Sequence, residues 1–106
     1  MSDFAMITSD GRIGVGFQCN IYTYIAHDCV VGDFVTCALR VAVNRRVEIG
    51  DGVYLGAGAT ILPGEDGKPI KISAGAVVGA HALVTRDVPE GCTVVGMPAK
   101  PLKKGL

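Results

Sequence analysis

In this sequence of 106 residues, the side chains best suited to chemistry are His27 and its neighbour Asp28, in the run Ala26-His27-Asp28-Cys29. Histidine titrates near neutrality, so it can take up and release a proton at physiological pH. A carboxylate beside it can orient the ring or raise its basicity. Neighbours in sequence rarely face one another, however, and a histidine next to an acid is also what a solvated turn looks like. The residues alone leave both readings open. His81, the second histidine, reads as a surface turn residue. Two histidines without an HxxxxH spacing do not supply the three protein ligands of a catalytic zinc site. The four cysteines contain no CxxC pair. Cys19, Cys29 and Cys37 read as small buried hydrophobes, and Cys92 lies outside the pattern that places them.

That pattern is a six-residue period, clearest in the stretch VEIGDGVYLGAGATI from Val47 to Ile61. Counting in sixes from Ile7, ten successive positions through Ile61 are apolar. The period resumes at Ile72, Val78 and Val84, with Ala76, Ala82 and Val88 as companions four residues on. Offsets of four and six fall about 160° apart on a helix and leave no single apolar stripe. On short strands, by contrast, residues two apart share a face. Gly50-Asp51-Gly52 and Gly56-Ala57-Gly58 are the sharp turns between strands. A period sustained this long predicts a repeat architecture, with three flat faces to an 18-residue coil. One domain is expected over 1–106, with coils over about 7–89 and a tail over 90–106. Between Ile61 and Ile72 lie eleven steps instead of six, so five residues are extra; they read as an exposed loop over 65–69.

Hydrophobic residues make up 49%, mean hydropathy is +0.41 and formal net charge is zero. Zero charge argues against nucleic acid as the main partner, while a neutral, apolar-rich chain tends to associate. No run of 18 apolar residues predicts a membrane span. The first residues, MSDFAMITSDG, lack the pattern of a signal peptide. The cytoplasm is the expected location.

The period also places a second candidate site. Ala57 is the third residue of its hexad, as His27 is, and removing the five inserted residues brings Ala80 one coil after Ala57 on the same corner. Gly56-Ala57 and Gly79-Ala80 should therefore stack into a groove without bulky side chains, open to the amides of an extended ligand; turns that merely want small residues would look the same. His27 lies five hexads before Ala57, hence on a different corner. A site using both is most simply built between two chains, and activity is then expected to require an oligomer.

Three stretches, Ala26 to Asp33, Ile49 to Gly64, and Val77 to Lys100 with its VVGMPAK ending, resemble the hexapeptide-repeat acyltransferases. Within that family the chain is most similar to sugar O- or N-acetyltransferases related to sialic acid O-acetyltransferases and bacillosamine-pathway acetyltransferases. The resemblance implies an all-β fold, a left-handed parallel β-helix, assembled as a homotrimer. The handedness rests on the resemblance alone, because parallel crossovers are otherwise right-handed in about 98% of cases. It further implies an acetyl-CoA donor, no metal, and a small hydroxyl or amino acceptor such as a sugar or nucleotide-sugar. His27 corresponds to the family's general base and Asp28 to the acid beside it. Gly56, Ala57, Gly79 and Ala80 correspond to positions that contact acetyl-CoA. Lys100 corresponds to the ending near the CoA nucleotide, where Lys103 and Lys104 could also meet phosphates. Thr36 stands where similar enzymes often carry a second histidine touching acetyl-CoA. Those enzymes usually also have an N-terminal nucleotide-sugar-binding domain of Rossmann type, for which this chain has no room. A non-catalytic trimeric scaffold or CoA-binding remnant is the competing expectation.

Overall fold

A computed structural model describes residues 6–7, 12–20, 22–65 and 67–102. Most described hexads become a two-residue strand followed by a four-residue turn, and the strand pair sends one side chain out and the next in. The last turn residue but one takes a left-handed conformation. Gly16, Gly52, Gly58, Gly75 and Gly91 do so freely, but so do Tyr22, Asp28, Phe34, Arg40, Arg46 and His81. That conformation costs a non-glycine residue about 1–2 kcal/mol. Rungs hydrogen-bonded on both sides of each turn hold it in place.

Successive strands fall on three faces in rotation. The first face holds β1 (Met6–Ile7), β4 (Tyr24–Ile25), β7 (Ala42–Val43), β10 (Thr60–Ile61) and β13 (Leu83–Val84). The second holds β2 (Arg12–Ile13), β5 (Val30–Val31), β8 (Val47–Ile49) and β11 (Ile70–Ile72). On the third lie β3 (Gln18–Cys19), β6 (Thr36–Cys37), β9 (Tyr54–Leu55), β12 (Val77–Val78), β14 (Thr93–Val95) and β15 (Lys100–Pro101). All pairings are parallel except that of β14 with β15. The result is a three-sided parallel solenoid measuring 43 × 30 × 23 Å.

The inward side chains form one continuous core of Val, Ile, Leu, Ala and Cys from Cys19 to Val94. Cys19, Cys29 and Cys37 are buried in it and all four cysteines are free. Thr23, the buried polar residue among them, donates its hydroxyl to the Ala38 carbonyl at 3.2 Å. Ile13 is 36% exposed despite its inward register.

Register follows the sequence arithmetic. Ile25 pairs with Val43 and Val43 with Ile61, whereas Ile61 pairs with Val84 across the inserted residues. The insertion is a hairpin: Glu65 and Lys68 exchange backbone bonds of 3.1 and 2.9 Å, and Gly67 is left-handed. Two features depart from expectation. Val88 is not a corner companion but bridges to Ile72 on the second face, so the turn over residues 85–87 is two residues shorter than the period. The Asp87 carboxylate accepts from the Lys71 amide at 2.9 Å, taking the place of a backbone acceptor there. The segment read as a tail also continues the prism: β14 extends the third face and buries Val94.

Candidate active site

His27 and Asp28 form the turn between the first and second faces, which we call the first corner. His27 Nδ1 and Asp28 Oδ2 are 3.2 Å apart, with side chains 44% and 50% exposed. Left-handed backbone at Asp28, φ 61°, folds its carboxylate back toward the imidazole; aspartate is among the few non-glycine types that enter that region readily. In the tautomer that carries its hydrogen on Nδ1, that N–H donates to the carboxylate and the Nε2 lone pair faces outward.

The turn is tied from below. The buried Cys29 thiol donates to the Asn44 carbonyl at 3.0 Å, and the Asn44 side-chain amide donates to the Ile61 carbonyl at 2.8 Å. Three coils of the first corner are thus bound behind His27. Burial pushes the Cys29 thiol above its ordinary value, so it serves as a neutral donor and not as a nucleophile.

Gly56-Ala57 and Gly79-Ala80 stack on the third corner, between the third and first faces. The Gly56 amide donates to the Val78 carbonyl and the His81 amide to the Ala57 carbonyl, each at 2.8 Å. Close stacking demands the glycine: a Cβ on Gly56 would lie 2.7 Å from the Ala80 nitrogen. His81 leans over Gly58, its Nδ1 occupying the space a Cβ there would need.

Thr36 does not join that corner. It is half-buried on the third face, between Gln18 and Tyr54. Lys100 is exposed on β15 and lines a cavity of about 440 Å³ with Thr85, Arg86 and Pro98. Thr85 and Arg86 also border a second cavity of about 430 Å³ under the hairpin, beside Lys68 and Asp87. Arg86 escaped the sequence reading because only the shortened turn sets it between both cavities. Lys103 and Lys104 lie outside the described residues. Among the described residues no group of three His, Cys, Asp or Glu side chains could hold a metal ion. No helix there is long and apolar enough to cross a membrane.

No protein-family model matches the sequence. Individual proteins do. The chain is 45% identical over 104 residues to a GDP-perosamine N-acetyltransferase of Escherichia coli O157:H7, covering 98% of this chain and 47% of that protein. Among solved structures, WeeI from Acinetobacter baumannii AYE superposes with a TM-score of 0.92 at 49% identity, over 93% of this chain and 47% of that one. The chain belongs to the hexapeptide-repeat acyltransferases. Its solenoid is accordingly the left-handed β-helix. The serine acetyltransferase of Neisseria gonorrhoeae shares it with a TM-score of 0.83 at 32% identity, over 93% of this chain and 41% of that one. The chain spans about half the length of these relatives.

Proposed function

We propose that the chain is the catalytic β-helix of an acetyl-CoA-dependent O- or N-acetyltransferase acting on a small acceptor of the sugar or nucleotide-sugar class. The observation that carries this reading is the pairing of two unlike corners across one face. His27, carboxylate-backed and outward, closes one edge of the first face; the smooth Ala57–Ala80 corner closes the other. If three chains assemble with that face turned to the threefold axis, the His27 corner of each meets the Ala57–Ala80 corner of the next. The outward residues of the first face suit such an interface: Tyr24, Ala42, Thr60 and Leu83 are all half-buried even in the single chain. The resulting cleft is walled by the second face of one chain and the third face of its neighbour, where Thr36 stands.

Transfer is direct. His27 Nε2 takes the proton from the acceptor hydroxyl or amine as that atom attacks the thioester carbonyl carbon. Backbone N–H groups hold the tetrahedral oxyanion. Collapse breaks the C–S bond, and the imidazolium returns its proton to the CoA sulfur. The donor arm lies against Ala57 and Ala80, and its phosphates reach Arg86 and Lys100. The free cysteines suit a reducing compartment such as the cytoplasm.

Calorimetric titration of the purified oligomer with acetyl-CoA tests the reading. Micromolar binding is expected, lost in Ala57→Trp, whose indole fills the corner. His27→Ala should keep donor affinity and lose about 10²–10⁴-fold in kcat. No binding at millimolar acetyl-CoA by a folded trimer would instead favour a non-catalytic scaffold.

A further inference from the structure

Each strand of the first face is a rung with one end at the third corner and the other at the first. Tyr22 and His27 end the same rung, β4; Arg40 ends the next, β7. Both Tyr22 and Arg40 have left-handed backbone, φ 62° and 60°, and both side chains are exposed. The Arg40 guanidinium leans back over the Tyr22 ring, 5.8 Å from its centroid. That brings it level with the β4 rung. Among the described residues Arg40 makes no ion pair; the only one is His27–Asp28. A guanidinium is thus preorganised on an aromatic face with its hydrogen-bonding edge unclaimed by any carboxylate among the described residues.

A threefold axis leaves rungs at equal height. Resting on the assembly proposed above, it sets Tyr22 and Arg40 of the partner subunit directly across the cleft from His27. The donor groove at Ala57 and Ala80 begins at the β10 rung, two beyond His27 and one beyond Arg40, so this pair faces the acceptor side. We propose that the Tyr22–Arg40 pair of each subunit reads a phosphate on the acceptor of the neighbouring subunit's His27, selecting an amino sugar or hydroxyl sugar linked to a nucleoside diphosphate. The planar fork can bind phosphate oxygens in bidentate fashion.

The test uses the whole oligomer, with its mass checked for each variant. For Arg40→Gln, the ratio of kcat/KM for a nucleotide-linked amino sugar to that for the free amino sugar should fall about 10–100-fold, as expected for loss of a charge-assisted contact. Arg40→Lys, charged but unable to form the fork, should fall between. Acetyl-CoA affinity should match wild type. Co-assembling His27→Ala with Arg40→Gln distinguishes action across the interface. At equal proportions each cleft has a one-half chance of an intact His27 and a one-half chance of an intact Arg40, so about a quarter of wild-type activity should return. An equal loss on both acceptors, or no recovery on co-assembly, overturns the proposal. Absence of acetyl-CoA binding in the wild type would sink the acetyltransferase reading instead. The pair would then be judged by calorimetry with a nucleoside diphosphate alone: at least tenfold weaker binding by Arg40→Gln upholds it, and unchanged affinity overturns it.

Discussion

Gly56→Ala should damage this protein through packing alone, and Gly52→Ala through backbone conformation alone. At Gly56 no left-handed φ is involved. The added Cβ would instead stand 2.7 Å from the Ala80 nitrogen, 2.8 Å from the Val78 oxygen and 2.9 Å from the Gly79 carbonyl carbon. All three atoms are backbone of the next coil, and the Gly56 amide is bonded to that same Val78 oxygen at 2.8 Å. No flexible side chain can swing aside. Rungs stand about 4.8 Å apart because hydrogen bonds set that spacing, so the coils must separate locally or the corner must twist. Overpacking of this kind costs about 1–3 kcal/mol, and the purely backbone clash argues for the upper end. Gly52 is the control: its φ is +69° and nothing lies within 4 Å of its Cβ position. Alanine there costs about 1–2 kcal/mol for the left-handed backbone, and Gly52→Asn should recover part of it. Urea unfolding at one fixed protein concentration reads the difference. With a slope of about 1–3 kcal/mol per molar urea, the Gly56→Ala midpoint should drop by roughly 1–2 M. A loss below about 0.5 kcal/mol, within the range of ordinary surface substitutions, would refute the packing argument. Gly56→Ala should also weaken acetyl-CoA binding by displacing Ala80, whereas Gly52, on the corner between the second and third faces, should not.

The thiols and the first-corner tie give further tests. Desolvation, then the neighbouring Cys19, pushes the Cys37 thiol up to about 12, and burial raises Cys29 as well. A disulfide reagent at pH 8 should therefore label at most one thiol per chain quickly, the half-buried Cys92, and four after denaturation; two or more fast thiols in the native protein would count against the buried assignments. The sign of the alkaline effect follows: the folded chain keeps the Cys37 proton where the unfolded chain, near the ordinary 9.0, has lost it. Stability should fall as pH rises from about 9 toward 12, by at most about 1.4 kcal/mol per unit from this group. Cys37→Ala should flatten that fall, and an unchanged slope would refute the attribution. Asn44→Ala removes the 2.8 Å bond to the Ile61 carbonyl and should cost about 1–2 kcal/mol. Hydrogen exchange should quicken around residues 26–29, and unchanged protection there would show that Asn44 does not brace the His27 turn.

The solenoid was legible because the burial pattern and the period are the same fact: every coil must present its inward residues at the same places for the next coil to cover them. Even the inserted hairpin was countable, since pairing resumes only when Ile72 returns under Ile49. The shortened turn at 85–87 was not legible. Nothing in local sequence says that the Asp87 carboxylate will stand in for a backbone acceptor and let Val88 move onto a face. For the same reason Arg86 and its two cavities went unseen. The Cys29–Asn44–Ile61 tie and the lean of Arg40 over Tyr22 each join different coils, and depend on side-chain rotamers that a period does not encode.

What the period did encode is that one chain holds its two candidate half-sites apart. Tyr22 and His27 stand five residues apart along one rung, so at about 3.3 Å per residue the third and first corners are separated by roughly 16 Å. Acyl transfer needs the reacting atoms within about 3–3.5 Å of each other. A rigid prism has no hinge with which to close that distance, since its flat face is a hydrogen-bonded sheet from β1 to β13. Rotation about an axis facing that sheet removes the separation across the face, by presenting one chain's third corner to another chain's first; what remains is the two-rung offset between β4 and β10, about 10 Å along the prism, which an extended donor arm can span. The geometry therefore makes assembly part of the proposed chemistry. Acetyl-CoA binding, acceptor selection and turnover should all decline together on dilution, at the concentration where the oligomer dissociates. Turnover that persists in a monomer, shown by activity measured alongside light scattering, would mean that His27 works without the opposing corner, and that the half-sites have been wrongly paired.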